Sequence, residues 1–147
     1  MYKISIVGDG NSGKTTFIHN LSLKEESILT SRVHLYKLYT NRGLIKLKIY
    51  DVIETQEEQR CYLESNIIII MCNLSSPNPF VTLNKWIDGA TEDTLIVICG
   101  NRYDGTKVVK IPKTPYPFLL INSKNDNKEL ILNIIRGLKN NENLMLI

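Results

Sequence analysis

The stretch "GDGNSGKT", Gly8 to Thr15, has glycines and a Lys-Thr pair at the spacing Gly-x-x-x-x-Gly-Lys-Thr. Those residue types at that spacing suit the cradling of a phosphate chain. Glycines let the backbone wrap close to the oxygens, successive N–H groups point inward, and the start of the following helix adds positive potential. The expected cradle is Gly8, Asp9, Gly10, Asn11, Ser12, Gly13, Lys14, Thr15 and Thr16. Lys14 would contact the β- and γ-phosphates, and the Thr15 hydroxyl would sit on Mg²⁺. The plain alternative is a structural glycine turn before a helix. The context weighs against it, because an apolar strand precedes the motif and a helical pattern follows.

The elements that must position this loop can be read from periodicity. "YKISIVG" reads as a buried strand, and "KTTFIHNLSL" as a helix with Phe17, Ile18 and Leu21 on one side. "VHLYKLYT" and "LIKLKIYD" alternate with period two around "NRG", which predicts a hairpin. "SNIIIIMCN", "TLIVICGN" and "FLLIN" read as further strands. "SSPNPFVTLNKWIDGA" reads as a helix with Phe80, Leu83 and Trp86 or Ile87 on one face, and "DNKELILNIIRGLKN" as an amphipathic helix. The proline-bearing "GTKVVKIPKTPYP" reads as a loop. Strands apolar throughout and alternating with helices predict one α/β domain over residues 1–147. Its sheet is expected to be mainly parallel, with one antiparallel edge hairpin and helices on both faces.

Further along, "ICGNRYD" resembles the guanine-reading Asn-Lys-x-Asp motif of Ras-superfamily small GTPases, and "INSKND" resembles their later Ser-Ala-Lys motif. The resemblance implies the P-loop small G-protein fold and binding of GTP and GDP with Mg²⁺. Asp104 would accept two hydrogen bonds from guanine, a donor pair that adenine lacks. Asn101 would brace the loops around the nucleotide. Arg102 stands in place of the usual Lys over the base. Asn122, Ser123 and Lys124 fill the last motif, with the Ser123 N–H expected on the guanine O6. Taken alone, "NSK" is an ordinary turn tripeptide. Within the superfamily, "TNRG", "GDGNSGKTTF", "ICGNRYD" and "NENLMLI" are similar to the Ran branch, the nuclear-transport GTPases.

The departures from that branch fall together. Asp51 ends a strand where the family holds Mg²⁺ through water. Three residues on, Glu54 stands in place of the Gly whose amide approaches the γ-phosphate, and Thr55 in place of the Gln that orients the attacking water. Gln56 is one position late, and only a slipped loop would present it. The switch I segment before "VHLYKLYT" is several residues short. Thr30 is the candidate for its Mg²⁺-sensing Thr, against the plain reading of a solvated loop residue. The switch II segment, Glu54 to Glu64, is also short. The helix expected after "NRYD" and the acidic tail of Ran are absent. The parts that hold nucleotide are kept, and the parts that respond to it are reduced.

Bulk properties agree with an intracellular domain. The chain has 147 residues, 43% apolar and 22% charged, and a net charge of +3 with scattered Lys and Arg. That charge is too small to argue for nucleic acid or an anionic membrane. Cys61, Cys72 and Cys99 have no metal-ligand spacing and fit a reducing compartment. The N-terminus has no signal-peptide pattern, no apolar run is long enough to span a bilayer, and the ending has no Cys for prenylation. These features lead us to expect a monomer in the cytoplasm or nucleus, without a membrane anchor. Its partners would be transport receptors or GTPase regulators. The abundance of Ile, Asn and Lys suits an AT-rich genome such as that of a virus, in which case the location is the host cell.

The leading expectation is a Ran-like guanine-nucleotide binder with slow or absent hydrolysis. Alternatives are an active GTPase completed by Gln56 or a partner, and a nucleotide-free scaffold that occupies the partners of a cellular Ran. An ATP-using kinase conflicts with "NRYD" and lacks an evident lid.

Overall fold

The structure, a computed structural model, describes residues 1–21, 24–30, 32–52, 64–102 and 111–139, with 24–30 and 138–139 described by backbone alone. Its strands are β1 (Tyr2–Gly8), β2 (Lys24–Thr30), β3 (Val33–Thr40), β4 (Gly43–Asp51), β5 (Ile67–Asn73), β6 (Leu95–Asn101) and β7 (Phe118–Ile121). Its helices are α1 (Lys14–His19), α2 (Leu83–Asp88) and α3 (Lys128–Lys139). The strands form one sheet in the order β2-β3-β4-β1-β5-β6-β7. Pairing is parallel from β4 through β7, and β3 runs antiparallel to both β2 and β4.

Burial follows the sequence patterns for a physical reason. β5, "IIIIMCN", is central and covered on both faces, so nearly every side chain is buried. β3 and β4 alternate because one face meets the core and the other meets solvent. On one face of the sheet, Phe17, Ile18 and Leu21 in and just after α1 pack with Ile131, Leu132, Ile134 and Ile135 of α3. On the other face, Leu83 and Trp86 of α2 pack on Val7, Ile68, Ile70 and Ile98. The helices therefore lie on both faces, in the expected mixed and mainly parallel α/β arrangement.

The structure corrects three expectations. The β3–β4 hairpin is not the sheet edge, because β2 pairs along β3 beyond it, with register shifts at Glu25/Ser27 and Ile28/Thr30. Thr30, the candidate Mg²⁺-sensing Thr, is the last residue of β2 and pairs with Val33. The helix expected from Ser75 reduces to Leu83–Asp88. Pro77 and Pro79 provide no amide hydrogens, and the chain enters by successive turns, Ser76 N–H to Asn73 O, Val81 N–H to Asn78 O and Leu83 N–H to Phe80 O. The helix after the glycine motif is also short, ending where the Asn20 side chain donates to the Thr16 carbonyl at 2.9 Å. The 111–117 stretch carries no helix or strand before β7.

Cys72 and Cys99 are buried core thiols on adjacent strands. Burial pushes both up to about 12 from an ordinary 9.0, so they remain protonated and poor nucleophiles. No described helix is long and apolar enough to cross a membrane.

At the end of β1, Gly8 has φ of 142° and lies so close to β5 that a Cβ would stand 2.3 Å from the Met71 carbonyl oxygen. Gly8→Ala is therefore expected to destabilise the fold by about 2–4 kcal/mol through backbone strain and a clash with a rigid partner. Urea unfolding of the two proteins checks this. Equal midpoints would show that the sheet accommodates the methyl group.

Candidate functional site

The glycine motif joins the C-terminal end of β1 to α1, at the carboxyl ends of the parallel strands in the middle of the sheet. Gly13 precedes the helix in the left-handed region, at φ of 92°, and as the N-cap it has no side chain with which to bond the first-turn amides. Amides at a helix start suit an anion. The loop is braced internally, since both the Ser12 amide and the Ser12 hydroxyl donate to the Asp9 carbonyl, at 3.0 and 2.6 Å. It is also tied to the far face of the sheet by the Thr82 hydroxyl, which donates to Asp9 Oδ1 at 3.1 Å.

Lys14 is 7% exposed, and its ammonium donates to the Gly8 and Asp9 carbonyls, both at 2.8 Å. These bonds fold the side chain back over its own loop and hold the charge in the crevice. Gly10, Lys14, Thr15, Thr16, Arg32 and Asp51 are among the residues lining a cavity of about 480 Å³.

The Thr15 hydroxyl donates to Asp51 Oδ2 at 2.6 Å, so the motif and the end of β4 meet directly. Asp51 is 4% exposed, and among the described residues its Oδ1 has no hydrogen-bond partner. A buried carboxylate oxygen without a partner is costly unless a cation or a bound water meets it. A hydroxyl and a carboxylate are hard oxygen donors. Mg²⁺ binds through one or two such groups and completes its shell with phosphate oxygens and waters, so the pair fits that ion. No cluster of three or more acidic, His or Cys side chains occurs among the described residues, and a phosphate-bridged Mg²⁺ does not need one.

The second half of the site is built around Asn101 at the end of β6, fully buried. Its Nδ2 donates to the Ser12 carbonyl at 3.0 Å and the Ser123 hydroxyl at 2.9 Å, and its Oδ1 accepts the Ser123 amide at 3.0 Å. One side chain thus locks the phosphate loop to the loop after β7. Asn20 and Asn127 reinforce that loop by donating to the Ser123 carbonyl at 3.1 and 3.2 Å. Arg102 follows, half-buried, with its amide on the Ile121 carbonyl.

The Ser123 amide, expected on a guanine O6, is instead taken by Asn101, because the buried Asn needs a donor for its oxygen. The next amide, Lys124, donates to the exposed-side partner Asn122 Oδ1 at 3.0 Å, a local turn bond that solvent or a ligand can replace. Asp104, Glu54, Thr55 and Gln56 lie outside the described residues, and Thr30 is described by backbone alone.

Three residues that position the site escaped the sequence reading. Asn20 and Asn127 are Asn residues flanking helices, whose only sequence signal is a capping preference. Arg32 has no motif at all. Its place depends on β3 meeting β4, where the Asp51 amide donates to the Arg32 carbonyl at 2.8 Å.

A family model described as Ras family matches residues 3–129 of this chain, from β1 into the start of α3.

Proposed function

The chain belongs to the Ras family of GTP-binding small GTPases, and from that premise we propose that it is a Ran-like guanine-nucleotide-binding module with slow or absent GTP hydrolysis. The observation that supports the reading most is the meeting of Thr15 and Asp51 beside Lys14 in one polar cavity. That arrangement suits a phosphate chain and one divalent ion. Mg²⁺, when bound, neutralises charge on the β- and γ-phosphate oxygens. Lys14 exchanges its carbonyl partners for phosphate oxygens, and the first-turn amides of α1 complete the cradle. Asp51 would hold the ion through water. Arg102, Lys124 and Asp104 attend the base, with the Lys124 amide the better placed donor to O6.

Slow hydrolysis follows from the residues beyond β4. By its place in the sequence, Glu54 would put a carboxylate where the family has a glycine amide near the γ-phosphate, and Thr55 is too short to orient water as a Gln does. The module would act by occupying protein partners, transport receptors or GTPase regulators of the Ran type, as a monomer in the cytoplasm or nucleus.

One observation favours an active enzyme completed by a partner. Among the described residues a Cβ built on Gly10 meets nothing within 4 Å, which leaves room there for an incoming group.

Chromatography of the nucleotide released when the purified protein is denatured tests the proposal. GDP or GTP is the expected result. An empty site would favour the scaffold reading, and ATP would overturn the guanine assignment.

A further inference from the structure

Lys14 is joined in the cavity wall by a second cation, Arg32. Its Nη1 is 3.8 Å from Asp51 Oδ2, the oxygen that also accepts the Thr15 hydroxyl. Its backbone is fixed by the sheet, since its carbonyl accepts the Asp51 amide and β3 begins at the next residue, in register with Tyr50. The side chain is 40% exposed and lines the cavity beside the carboxylate. A guanidinium is always charged, and its planar fork suits either a carboxylate or a phosphate. This places a permanent monovalent cation at the carboxylate that a divalent ion would use.

We propose that Arg32 takes over part of the divalent ion's work, so that nucleotide is retained when Mg²⁺ is removed. The proposal rests on the nucleotide reading above. Without Mg²⁺, the guanidinium bridges Asp51 and the terminal phosphate of GDP and limits the repulsion between them. With Mg²⁺ present, Arg32 and the ion compete for the same carboxylate, so the ion binds more weakly than it would without the arginine. Nucleotide retention is then set by the sheet rather than by the shortened loops around it.

Calorimetric titration of the full chain with GDP, in saturating Mg²⁺ and in excess chelator, tests this. In the unaltered protein, chelation should weaken GDP binding by about tenfold or less, whereas in Arg32→Ala it should weaken binding by about 100-fold or more. Arg32→Lys should fall between them, because it keeps the charge and loses the fork. Mg²⁺ titrated into the GDP complex should bind more tightly to Arg32→Ala than to the unaltered protein. Equal chelation factors in the unaltered protein and Arg32→Ala would overturn the proposal while leaving the nucleotide site standing. Failure of the unaltered protein to bind GDP in saturating Mg²⁺ would overturn the nucleotide reading and this proposal with it.

Discussion

Lys14→Ala loses nucleotide: its affinity for both GDP and GTP falls by about 100-fold or more, close to 3 kcal/mol. The size of the effect follows from burial. The ammonium is 7% exposed and holds two loop carbonyls, so its charge acts at short range in a crevice with little water to screen it. Truncation removes that charge and leaves the Gly8 and Asp9 carbonyls without their donor. Fluorescence titration with a labelled GDP measures the loss. A thermal melt of the variant separates it from unfolding, because Phe17 and Ile18 keep α1 on the sheet through apolar contacts that Lys14 does not make. Unchanged affinity in a folded Lys14→Ala protein would remove the phosphate site.

Restoring Glu54→Gly together with Thr55→Gln raises single-turnover GTP hydrolysis by about tenfold or more, equivalent to about 1.4 kcal/mol or more off the barrier. On the proposed reading Glu54 would put a carboxylate near the γ-phosphate, and two unit charges ~4 Å apart at an effective dielectric near 20 repel by about 4 kcal/mol. The double change removes that repulsion and returns a side chain able to orient water. It should also raise the preference for GTP over GDP, since an amide close to the γ-phosphate is what distinguishes the two. Rapid-quench measurement of phosphate release decides. If the unaltered protein already hydrolyses GTP quickly and Gln56→Ala abolishes it, the loop presents Gln56 and position 54 does not obstruct the site.

The parts of this molecule legible in its sequence are those whose signals are local. The glycine motif is a spacing rule, and its β1-loop-α1 setting follows from a short apolar run followed by a helical pattern. The alternation in β3 and β4 showed two strands, and "TNRG" their turn, where Gly43 adopts φ of 107°. What failed depended on distant partners. "KEESILT" has no clean alternation, and it is a strand because the edge of β3 offers it a ladder. The Ser123 amide, expected on guanine O6, is bonded to Asn101 in the structure, and nothing near Ser123 in the sequence reveals that a buried Asn101 oxygen claims it. Arg32 was invisible for the same reason, being close to Asp51 only through the pairing of β3 with β4. The apolar face of α2 is visible in the sequence from Phe80 onward, but Pro77 and Pro79 lack amide hydrogens and the helix begins only at Leu83.

The central claim is that this chain holds a guanine nucleotide through Lys14, Thr15, Asp51 and the loop locked by Asn101. The most direct test is calorimetric titration of the nucleotide-stripped protein with GDP and, separately, ATP, both with Mg²⁺. The account predicts sub-micromolar binding of GDP, near −8 kcal/mol or stronger, with ATP weaker by roughly 1,000-fold or more because a site built to pair a donor edge rejects a base that lacks it. Equal affinity for the two nucleotides, or binding of neither, would contradict it.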